Sequence, residues 1–70
     1  MKNSNFGKTL KTLRTERNIT QGELAKTLGC SQSMLARWEK CECEPTAPYI
    51  IAVCEYFSVS ADFLLGINEY

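Results

Sequence analysis

A chain of 70 residues, 44% hydrophobic and 23% charged, holds one domain with one compact core and is too apolar to be disordered. It contains no histidine, the commonest acid–base catalyst and metal ligand, and offers little length from which to shape a substrate pocket, so an enzyme is not expected. Its net charge of zero hides a division: residues 1–40 carry all eight basic side chains against three acids, a net of +5, while residues 41–70 carry five acids and no base. A division of this kind suggests one side turned toward a polyanion, although a small chain also produces it by sampling. The longest apolar run, Tyr49 to Cys54, is six residues, against the ~20 a membrane helix needs. The polar start Met-Lys-Asn-Ser-Asn has no signal-peptide character, and the expected setting is the cytoplasm.

In chain order, the first helix is predicted from about Phe6 to Arg17. Phe6, Leu10 and Leu13 recur at helical spacing, and Asn18 can stop the helix in a left-handed conformation. Thr20-Gln21-Gly22-Glu23 matches a capping box. The second helix it opens places Leu24, Ala25 and Leu28 on one face and ends at Gly29, which accepts a positive φ without steric penalty. Ser31 is the next N-cap, and the third helix runs from Gln32 to about Lys40. The segment Cys41-Glu42-Cys43-Glu44-Pro45 is a loop, since Pro45 disfavours helix at Glu44. Thr46 is expected to cap a fourth helix, Ala47 to Phe57, with Ile50, Val53, Cys54 and Phe57 as its stripe. Ser60 caps a short fifth helix to Leu65, stopped by Gly66. The expected fold is a compact all-α bundle of five helices in a single domain spanning residues 1–70.

The break between the second and third helices is too short for antiparallel packing and suits a helix-turn-helix, whose helices cross at ~90–120°. Stepping ~100° per residue from Gln32 puts Ala36, Lys40, Ser33 and Arg37 on one side of the third helix, and Met34, Trp38 and Leu35 on the other. The apolar side is expected to pack inward. The polar side carries no acid, and its residue types suit a DNA major groove: Gln pairs bidentately with adenine, Arg with guanine, Ser with either, and an Ala methyl meets the thymine methyl. A solvated face on an ordinary amphipathic helix is the alternative for these residues.

The stretch QGELAKTLGCSQSMLARWEK, with Leu24, Ala25, Leu28, Gly29, Cys30, Leu35 and Trp38 at the required positions, resembles the helix-turn-helix of the phage repressor/Cro type, the XRE-like bacterial regulators. The resemblance continues through Pro45 to VSADFLLG and implies a lambda-repressor-like DNA-binding domain, with the motif at residues 21–40. It implies base contacts by Gln32, Ser33 and Arg37, with Ala36 a weaker candidate, and phosphate contacts by Gln21, Ser31 and Lys40. It also implies an ion pair between Arg14 and Glu39. The loop departs from the family: relatives carry glycine where Cys41 stands, followed by basic residues that clamp the backbone, whereas this chain has Glu42 and Glu44.

The resemblance further implies a dimer that reads half-sites of a palindromic operator. With no separate dimerisation domain in view, the C-terminal part, about residues 46–70, is the expected surface, through Phe63, Leu65, Ile67 and Tyr70 and extended by Tyr49, Ile51 and Tyr56. Several of these could instead close the core. Among the four cysteines, Cys30 and Cys54 fall at apolar positions where burial is expected. Cys41 and Cys43 lack zinc-site spacing and a histidine to complete a set, so no metal or other cofactor is expected. The leading expectation is a sequence-specific transcriptional regulator, a repressor acting on double-stranded DNA. The alternative is an antitoxin-like or adaptor helix-turn-helix whose polar face binds a protein, and a zinc or redox sensor ranks last.

Overall fold

A computed structural model describes residues 5–65. Five helices follow in order: α1 (Phe6–Glu16), α2 (Gln21–Leu28), α3 (Gln32–Glu39), α4 (Ala47–Phe57) and α5 (Ala61–Leu65), with no strand among the described residues. None of these helices is long and apolar enough to cross a membrane.

The helix starts follow local side-chain chemistry. The Thr20 hydroxyl accepts from the Glu23 amide at 3.1 Å while the Glu23 carboxylate accepts from the Thr20 amide at 3.0 Å, a complete capping box. Ser31 caps α3 by accepting from the Met34 amide at 3.1 Å, and Ser60 caps α5 by accepting from the Phe63 amide at 3.1 Å. Thr46 stands at the N-cap position of α4, but its hydroxyl makes no cap hydrogen bond. Pro48 in the first turn of α4 has no amide hydrogen to leave unpaired, so that turn has fewer donors for a cap to satisfy.

Four helices end on a residue with positive φ: Asn18 after α1, Gly29 after α2, Cys41 after α3 and Ser58 after α4. In each case the amide of the next residue returns to a carbonyl five residues back, at 2.9–3.1 Å, as Ile19 does to Arg14 and Val59 to Cys54. Three of these following residues, Ile19, Cys30 and Val59, are apolar and pack against the core, completing the closure of each turn.

The core is the shared stripe of all five helices: Phe6 and Leu10 of α1, Leu24 and Ala25 of α2, Leu35 and Trp38 of α3, Val53 and Phe57 of α4, and Leu64 of α5. Trp38 is its centre. Its ring lies 5.9 Å from Phe6 in an edge-to-face pair and 5.1 Å from Tyr49. Gly7 lets α1 come this close, because a β-carbon there would run into the carbonyl oxygen of Trp38. The Cys30 and Cys54 thiols are half-buried against the core rather than enclosed by it. Burial pushes both thiols above the ordinary range, with the nearby Glu55 adding to the shift at Cys54.

Candidate nucleic-acid interface

The turn between α2 and α3 consists of Gly29, Cys30 and Ser31, with Gly29 at φ 80°. That left-handed step and the Ser31 cap allow the chain to restart as a helix almost at once. The result pins α3 against both α1 and α2.

This packing divides α3 lengthwise. Leu35 is 0% exposed and Trp38 2%, whereas Gln32, Ser33 and Arg37 are exposed. Ser31 and Lys40, at the two ends, are also exposed, and Ala36 is half-buried. Met34 departs from the expected inward set. It is 38% exposed and lies at the edge of the core, its thioether 4.0 Å from the Cys43 thiol. With the rings of Trp38, Phe6 and Tyr49 already filling the interior beside α3, the flexible Met34 side chain takes the margin.

Glu39 joins three helices. Arg14 donates to it twice, Nε to Oε2 at 2.7 Å and Nη2 to Oε1 at 3.0 Å, and donates through Nη1 to the Ile19 carbonyl at 2.8 Å. The two side chains retain only 12% and 3% exposure. Hydrogen bonding to Glu39, aided by its charge, holds the Arg14 guanidinium above its usual pKa against the opposing effect of burial. Gln21 adds a third hydrogen bond, Nε2 to Glu39 Oε1 at 2.9 Å. An amide nitrogen carries two hydrogens, so Gln21 keeps one for an outside acceptor. The position of this glutamine at the start of α2 is legible in the sequence; its tie to Glu39 is not, since the two are eighteen residues apart. Gln32 leans toward α2, its Oε1 3.4 Å from where a β-carbon on Gly22 would stand.

Beyond α3, Cys41 adopts φ 62° and the Glu42 amide donates to the Arg37 carbonyl at 2.9 Å. The Glu42 carboxylate stands 3.9 Å from Arg37 Nε. Among the residues named for a second surface, Phe63 and Ile51 are 55% and 57% exposed, and Tyr56 is exposed beside Phe57. Tyr49 does not extend that surface: it is half-buried, packs on Trp38, and donates through its hydroxyl to the Gly29 carbonyl at 3.4 Å. The Leu65 side chain, Ile67, Tyr70 and the stop at Gly66 lie outside the described residues. Among the described residues no three of histidine, cysteine, aspartate and glutamate come together as metal ligands.

Two helices joined by a glycine turn, the second buried along one side and open along the other, define a helix-turn-helix protein. The chain belongs to the helix-turn-helix family, which matches residues 10–64. It is 34% identical over 64 residues to the transcriptional activator BcrR of Enterococcus faecalis, covering 91% of this chain and 31% of that protein. It is 33% identical over 64 residues to the antitoxin PezA of Streptococcus pneumoniae, covering 91% and 40%. The structure of the phage P22 c2 repressor in complex with a synthetic operator superposes with a TM-score of 0.83 at 28% identity, covering 90% of this chain and 96% of that one. The chain thus spans between about a third and two-fifths of the length of these two curated relatives, and the resemblance read from residues 21–40 and on through Pro45 to VSADFLLG is borne out by the family match over residues 10–64.

Proposed function

We propose that this chain is a sequence-specific double-stranded DNA-binding module of a transcriptional regulator, a repressor rather than an enzyme, acting in the cytoplasm on a palindromic operator as a dimer. The observation that carries this reading is the division of α3: Gln32, Ser33 and Arg37 are exposed, on the side suited to base edges, while Leu35 and Trp38 anchor the helix from behind. Gln21, Ser31 and Lys40 flank that face at positions suited to phosphates. The fold shared with an operator-bound repressor supports the same assignment. The half-site arrangement follows from size, since one α3 of eight residues meets only a few base pairs.

The acidic loop and the similarity to an antitoxin favour a second reading, in which the open face of α3 binds a protein. Selection from random duplexes separates the two. Under the DNA reading a palindrome is enriched, and Arg37→Ala relaxes the preference at one base pair in each half-site, with a loss of about 1–3 kcal/mol there. Absence of any enriched sequence favours the protein-binding reading.

A further inference from the structure

An acidic residue just beyond the end of α3, Glu42, stands beside the arginine assigned to read bases. We propose that Glu42 is an internal competitor for the Arg37 guanidinium, lowering DNA affinity through that arginine rather than through the phosphate backbone. This inference rests on the DNA-binding reading above.

Three observations carry it. First, the position of Glu42 is built into the fold: with Cys41 at φ 62°, the Glu42 amide is turned back onto the Arg37 carbonyl at 2.9 Å. The two residues are therefore held together by the backbone, however their side chains move. Second, the charged ends approach without closing into a full hydrogen bond, 3.9 Å apart, with 58% of the Arg37 side chain and 54% of the Glu42 side chain exposed. Such a contact is weak enough for a guanine edge to displace, and close enough for the guanidinium to feel its loss. Third, the carboxylate one turn earlier, Glu39, is consumed by Arg14 and Gln21 and nearly covered, so it does not compete for Arg37.

The physical consequence is an exchange. In the free protein the guanidinium is shared with Glu42. To form a bidentate contact with guanine O6 and N7 it must leave that carboxylate and give up their attraction. A basic residue in the same place would add to affinity, whereas this arrangement subtracts from it at a side chain whose contact is base-specific.

A double-mutant cycle with wild type, Glu42→Gln, Arg37→Ala and the double variant tests this on the duplex enriched by selection, with binding read by fluorescence anisotropy. Thermal unfolding, followed through Trp38 fluorescence, confirms that each exposed-site variant folds. The expected result is that Glu42→Gln tightens binding by up to about fivefold, the upper end of what an exposed ion pair is worth, and that this gain disappears in the Arg37→Ala background. An equal gain in both backgrounds would show Glu42 acting on phosphates alone and overturn the proposal, as would no gain in either. A wild-type protein that binds no duplex removes the DNA reading as well, an outcome distinct from binding without coupling.

Discussion

At the scale of single residues, the most consequential environments lie behind the exposed face of α3 rather than on it. Glu39 is nearly covered and holds both Arg14 and Gln21, so removing Arg14 leaves a buried carboxylate with one neutral donor. The destabilisation expected of Arg14→Ala is on the order of 3 kcal/mol, seen as a fall in Tm of about 10 °C or more for a domain of this size. Arg14→Lys recovers only part of it, because an ammonium cannot reproduce the two-pronged contact. Base preference in a selection experiment stays the same; lost binding with an unchanged Tm would contradict this role. Gly7 and Gly22 give a second contrast. A methyl at Gly7 meets the backbone of Trp38, which cannot retreat without moving α3, whereas at Gly22 it meets only the mobile end of Gln32. Gly7→Ala is therefore expected to cost about 1–3 kcal/mol, and Gly22→Ala to stabilise by up to about 1 kcal/mol, both measured by chemical denaturation. Arg14 with Glu39 was legible in the sequence through family resemblance. Gly7 was not, since a glycine inside a helical stripe carries no sign of what lies opposite.

At the scale of elements, the starts of the helices were easier to read than their ends. Thr20, Ser31 and Ser60 act through side-chain oxygens a few residues from the amides they satisfy, and such chemistry is visible in a short stretch of sequence. Only one of the four left-handed ends is glycine, so composition points to Gly29, and less directly to Asn18, but not to Cys41 or Ser58. After Ser58 the chain is held by Val59 packing on the core, whereas after Cys41 the amide of Glu42 closes the turn locally on the Arg37 carbonyl. Cys41 bears the cost of a β-carbon in the left-handed region, about 1–2 kcal/mol, partly offset because glycine is more ordered on folding than cysteine. Cys41→Gly is accordingly expected to raise stability by about 0.5–1 kcal/mol, or a few degrees in Tm. Calorimetry checks this, and an unchanged or lower Tm would mean that the thiol packing near Gly7 outweighs the strain.

At the scale of the whole molecule, the division of charge along the chain opposes two equilibria. Binding to DNA releases counterions and weakens as salt rises. The proposed association of two copies through α4 and α5 would bring together exposed Ile51, Tyr56 and Phe63, but with them the exposed acids Glu55 and Asp62, in a half of the chain that has no base to compensate. Like charges brought within a Debye length repel, and salt screens that repulsion while leaving apolar burial intact. The proposed dimer is therefore expected to tighten as salt rises, over the same range in which DNA affinity falls. Phe63 is more than half exposed, so Phe63→Ala should leave the fold in place and shift the protein toward monomer. It should weaken binding to a full palindrome while leaving an isolated half-site unaffected. Sedimentation equilibrium at low and high salt, on wild type and Phe63→Ala, reads all the association terms. A dimer that loosens with salt, or one indifferent to Phe63, would place the two-fold contact elsewhere on the molecule and leave the exposed rings of α4 and α5 for a different partner.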